Sequence, residues 1–126
     1  MSRESRHILL VEDDRVLRRA CEISLRRIGF SVTIAEDGQE ALDHVKAELP
    51  DLILLDLLMP RVSGLEVLRS LRADTRTKDV PVLILSNSSP GRDLVEIDQL
   101  DIAGYLVKSN LSLQDLGDHV ARLLGD

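Results

Sequence analysis

The sequence has one cysteine, four prolines, one tyrosine, one phenylalanine and no tryptophan. A single cysteine closes no internal disulfide, so packing has to hold the fold, and a reducing cytoplasm is the expected compartment. With aromatics at 2%, no ring pair is available to sandwich a flavin. Long apolar runs are missing too: none approaches the length of a membrane span, and MSRESRH leads into only four aliphatics before Glu12, which is no signal-peptide core. Basic charge is in the minority, with 16 Lys and Arg against 22 Asp and Glu and a formal net charge of −6. That balance excludes unaided binding to nucleic acid or to an anionic membrane and leaves a protein as the expected partner.

What is present suits one packed domain. The 126 residues are 44% hydrophobic and 30% charged, enough for one core and too few for two ordinary domains. No repeat, low-complexity segment or linker interrupts the chain, so residues 1–126 are expected to form a single, complete domain.

Apolar runs and helix-period segments alternate five times. HILLV (7–11), SVTIA (31–35), DLILL (51–55), VPVLIL (80–85) and AGYLV (103–107) read as strands. The first, third and fourth are continuously aliphatic, which predicts burial on both faces. Helical spacing joins Leu65, Leu68 and Leu71, and later Leu113, Leu116, Val120 and Leu123. Start signals are Asp14, Asp37 with Glu40, Ser63 with Glu66, and Ser89 before Pro90; Gly29 and Pro50 are stops. Five strands each followed by a helix predict a parallel sheet with right-handed crossovers and five helices. Placing the two more polar strands, 31–35 and 103–107, at the edges gives the order 2-1-3-4-5. Ligands of such sheets bind beyond the carboxyl ends of the strands, where the order reverses.

The stretch DLILLDLLMP, residues 51–60, sets a carboxylate, Asp56, among large aliphatics. Burying an unpaired carboxylate costs roughly 5 kcal/mol or more, so something must hold that charge. The first strand ends in Glu12, Asp13 and Asp14, the fourth in Ser86 and the fifth in Lys108. Several carboxylates in one crevice suit a hard divalent cation such as Mg²⁺. A metal, a hydroxyl and an ammonium around one carboxylate form a site for a phosphoryl group bonded to it, which makes Asp56 the candidate nucleophile.

VEDD after the first strand, LLDLLMPRVSG around Asp56, ILS closing the fourth strand and GYLVK at the fifth resemble the response-regulator receiver domain of the single-domain, chemotaxis-regulator type. The resemblance covers essentially the whole chain and implies a flavodoxin-like, doubly wound α/β fold. It implies that Asp56 accepts a phosphoryl group from a phosphohistidine on a sensor histidine kinase or histidine phosphotransfer protein. Asp13, Asp56 and the Leu58 backbone carbonyl would ligate Mg²⁺, with Glu12 acting mainly through water. Lys108 would pair with the phosphoryl oxygens, and Ser86 would bond the group once formed, drawing Tyr105 inward. A downstream protein effector would read the face of helix four, strand five and helix five. Such a protein catalyses only its own phosphorylation and slow dephosphorylation.

Other residues take plainer roles. Asp14 is read as a helix cap, Cys21 as a core thiol beside Leu17, Leu25 and Ile28, and Arg18, Arg19, Arg26 and Arg27 as a solvated helix face that a kinase could use. His7, His44 and His119 stand at no metal-ligand spacing. A haloacid-dehalogenase-type phosphatase would need a second aspartate where Leu58 stands, and a flavodoxin's phosphate would be repelled by Glu12, Asp13 and Asp14. The closest rival is a receiver-like interaction module that works without phosphorylation. Two positions depart from the family pattern: Asn87, where a small residue is usual, and Ser109, where proline follows the lysine. A cis bond before serine costs about 2.5 to 4 kcal/mol, so a trans Lys108–Ser109 bond is expected.

Overall fold

The computed structural model describes residues 6–59, 62–87 and 94–125. In chain order the elements are β1 (His7–Val11), α1 (Arg15–Ile28), β2 (Ser31–Ala35), α2 (Gly38–Ala47), β3 (Leu52–Asp56), α3 (Gly64–Ala73), β4 (Val82–Ser86), α4 (Leu94–Gln99), β5 (Gly104–Val107) and α5 (Leu113–Leu123). A single 3₁₀ turn, Lys108–Asn110, separates β5 from α5. All strand pairs are parallel, in the order β2-β1-β3-β4-β5. The doubly wound fold expected from the alternation is therefore the observed one.

Alternation along each strand sorts the aliphatics onto two faces. Ile8, Leu10, Leu52, Leu54, Leu83 and Leu85 pack with Cys21 and Leu25 of α1 and Leu116 and Val120 of α5. Leu9, Val11, Ile53, Leu55, Val82 and Ile84 pack with Val45 of α2 and Val67, Leu68 and Leu71 of α3. β3 and β4 are buried along their whole length, whereas β2 and β5 keep partly exposed positions, as edge strands do.

The helix ends obey local chemistry. Asp14 Oδ1 accepts from the Val16 and Leu17 amides, and Asp37 Oδ1 from Glu40. Ser63 Oγ accepts from the Glu66 amide at 3.3 Å. Gly29 closes α1 in the left-handed region, φ 115°, where its amide donates to the Arg26 carbonyl. The proposed start at Ser89 and Pro90 lies outside the described residues. Three expectations are corrected. Strands three to five begin one or two residues later than the apolar runs, so Asp56 and Ser86 are themselves the last strand residues. Along α5 and its C-cap the stripe is Leu116, Val120 and Leu124, while Leu113 and Leu123 are exposed; spacing by four keeps one face inward, and the last step of three rotates away from it. Arg18 is not solvated: its side chain is only 13% exposed.

Candidate functional site

The carboxyl edge of the sheet gathers the predicted residues. Asp56 closes β3, paired with Leu85 of β4, and is buried. Glu12 follows β1 and is fully buried; Asp13 beside it is exposed. Carboxylate oxygens of Glu12, Asp13 and Asp56 all lie within 4.8 Å of one another. Ser86, buried at the end of β4, stands in register with Val107, the residue before Lys108. The turn from β5 thus delivers Lys108 to the same edge. No cis peptide occurs among the described residues, so the Lys108–Ser109 bond is trans, and the 3₁₀ turn Lys108–Asn110 provides the rearranged loop.

Lys108 Nζ reaches Asp56 Oδ2 at 3.5 Å and comes closer to Glu12 Oε1, at 2.7 Å. That Glu12 oxygen is buried and, among the described residues, has this ionic contact but no well-aligned hydrogen bond. The other, Oε2, accepts from the Asp14 amide. Asp56 Oδ1 accepts from the Leu58 amide at 3.2 Å, which orients the carboxylate. Burial, then the charge of Glu12, push the Asp56 pKa up to about 7, against the lowering pull of Lys108 and the Leu58 amide. For Lys108 burial acts downward, but Glu12 and Asp56 outweigh it and the pKa is raised. Three carboxylates with oxygens this close supply the hard donors that a small divalent cation takes.

The remaining predicted residues lie around this centre. Leu58 projects from the rim, 66% exposed, and Asn87 is exposed. Tyr105 is half-buried against the α2–α3 side of the core and lines a cleft of about 280 Å³ beside α5 with Asp118, His119 and Arg122. Asp14 caps α1, in line with its plainer reading. Cys21 lies in the core below the site, and burial, with Glu12 adding to it, pushes its thiol up to about 11, so it stays protonated.

Two features escaped sequence reasoning. Glu12 takes the shorter contact with Lys108, which depends on the turn after β5. Arg18 donates from Nη1 to the Glu12 carbonyl at 3.0 Å and from Nη2 to Glu36 at 3.3 Å. Its signal in the sequence was no more than a basic residue in a basic helix.

Among known proteins, residues 8–121 match the response regulator receiver domain. Response regulator MprA of Mycolicibacterium vanbaalenii is 47% identical over 79 residues, which are 63% of this chain and 33% of MprA; the chain matches about a third of that curated relative's length. The phosphorylated cyanobacterial phytochrome response regulator RcpA is 31% identical, with a TM-score of 0.84 over 95% of this chain and 94% of that one. The Mn²⁺-bound form of response regulator Rcp1 is 27% identical, with a TM-score of 0.85 over 95% of each chain. No helix among the described residues is long and apolar enough to cross a membrane. Sheet order, the acidic crevice with its lysine, and a family match along nearly the whole chain agree, and the protein belongs to the response regulator receiver domains of two-component systems.

Proposed function

We propose that Asp56 accepts a phosphoryl group from a phosphohistidine on a sensor histidine kinase or histidine phosphotransfer protein. The observation that carries this reading is a buried carboxylate, Asp56, 3.5 Å from the Lys108 ammonium and grouped with the oxygens of Glu12 and Asp13. The phosphorylated state of RcpA and the Mn²⁺ in Rcp1 support the same chemistry on the same fold.

In the transfer a carboxylate oxygen of Asp56 bonds to phosphorus as the bond from phosphorus to the donor imidazole breaks, and that electron pair leaves on the imidazole nitrogen. Mg²⁺, held by Asp13, Asp56 and the Leu58 backbone carbonyl, with Glu12 acting through water, would offset the charge on the phosphoryl oxygens. Lys108 moves its ammonium from Glu12 toward the new phosphoryl group. Ser86 donates its hydroxyl to that group, and Tyr105 turns further inward. The face of α4, β5 and α5 then presents a changed surface to a downstream protein effector, a two-state switch. The protein turns over no separate substrate; it promotes its own phosphorylation and a slow dephosphorylation.

Incubation with Mg²⁺ and acetyl phosphate, followed by intact-mass measurement, tests this. A single phosphate adduct that disappears in Asp56→Asn is expected. An unmodified parent chain would favour the phosphorylation-independent interaction module.

A further inference from the structure

Arg18 occupies a place that neither the family match nor the proposed chemistry assigns. Its guanidinium, largely buried on α1, ties the loop after β1 to the loop after β2: Nη1 bonds the Glu12 carbonyl at 3.0 Å, and Nη2 bonds Glu36 Oε1 at 3.3 Å. The Glu12 amide is already fixed from the other side, donating to the Ala35 carbonyl at 3.1 Å. A peptide unit is planar, so holding the Glu12 carbonyl oxygen also sets the nitrogen and Cα of Asp13. Asp13 is the exposed member of the acidic group and has no burial to hold it.

We infer that Arg18 is a positioning residue for the cation site, fixing the Glu12–Asp13 peptide so that the Asp13 carboxylate is presented beside Asp56. The inference rests on the metal reading given above. The sign of a simple charge effect runs the other way: a cation behind the site disfavours another cation, so losing it alone would strengthen metal binding. Glu36 pairs with that charge at 3.3 Å, so removing the two together leaves geometry as the quantity to be measured.

The test removes both partners together. Arg18→Met with Glu36→Gln leaves the net charge unchanged and keeps an apolar stem of similar reach. Calorimetric titration with Mg²⁺ is expected to show affinity weakened about tenfold, the low end of what outer partners of metal ligands contribute. Phosphorylation by acetyl phosphate at saturating Mg²⁺ is expected to stay within about twofold of the parent, because binding and not chemistry is impaired. Arg18→Lys, which can retain one of the two contacts, should fall between, and Arg19→Met, on the exposed side of the same helix, should match the parent. An affinity of the double variant within about twofold of the parent overturns the inference. So does a parallel fall in saturated rate and melting temperature, which would mark general destabilisation. A parent chain that takes up no Mg²⁺ would instead overturn the metal reading itself.

Discussion

Asp56 is subject to opposed requirements, since the proposed transfer needs it ionised while its surroundings favour the proton. With a folded pKa raised from 3.8 to about 7, mainly by burial, the folded chain binds this proton more tightly than the unfolded chain. Stability of the metal-free protein should therefore fall as pH rises through that window, and level off above it. Asp56→Asn removes the effect: in EDTA it should stabilise the protein by about 1 to 3 kcal/mol near pH 8 and by clearly less near pH 4, measured by urea unfolding. An equal gain at both pH values would contradict the assignment. The neighbouring carboxylates divide differently. Asp13 is open to solvent and Glu12 is committed to Lys108, so Asp13→Ala should abolish Mg²⁺ binding and Glu12→Ala weaken it less, by calorimetry. Asp13, Asp56, Ser86 and Lys108 could all be picked out from the sequence because each ends a strand or stands within two residues of its end. The preference of Lys108 for Glu12, and the grip of Arg18 on a backbone carbonyl, could not: both depend on loop paths that carry no periodicity.

At the scale of elements, strand existence was legible because an aliphatic run flanked by polar residues has few other uses, and the caps at Asp14, Asp37 and Ser63 because the capping chemistry is local. The cap of α5 was equally local and went unread. Ser112 Oγ accepts from the Asp115 amide at 3.0 Å, and the Asp115 carboxylate accepts from the Ser112 amide at 3.4 Å, a reciprocal capping box. Ser112→Ala should lower stability by about 1 kcal/mol, read as a shift of the urea midpoint with an unchanged slope. No change would mean that the 3₁₀ turn before it, and not the cap, fixes where α5 begins. The apolar stripe of α5 was misassigned at both ends because spacings of three and of four are equally helical; packing against α1 selects Leu116, Val120 and Leu124.

Across the whole molecule, a sheet buried on both faces carries a charged edge, and the helices connect that edge to the rest. α3 holds α4 through Arg69, whose Nη2 meets Glu96 Oε1 at 2.8 Å, and Arg72 ties α3 to the turn after α4 and to the segment before β4, donating to the carbonyls of Leu100, Asp101 and Val80. The order of the sheet was legible from polarity alone; these ties were not, since an arginine on a helix reads as solvated until its targets are placed. Leu58 is exposed at the rim beside Asp56, and an aliphatic side chain there can neither orient nor activate the water that would hydrolyse the proposed aspartyl phosphate. Leu58→Asn should shorten the phosphate half-life, followed by loss of the mass adduct after acetyl phosphate is removed; an unchanged or longer half-life would sink this reasoning. The first residue of α3 has the opposite character, because a Cβ on Gly64 would come within 2.2 Å of the Asp56 carbonyl oxygen. In a saturation scan, position 64 should return glycine alone among folded variants, while position 58 should tolerate most side chains, each with its own signal lifetime. On the proposed chemistry, one short segment thus separates what a lineage can vary from what it cannot: signal duration can drift from one descendant to the next, while the seat of the proposed phosphoacceptor stays fixed.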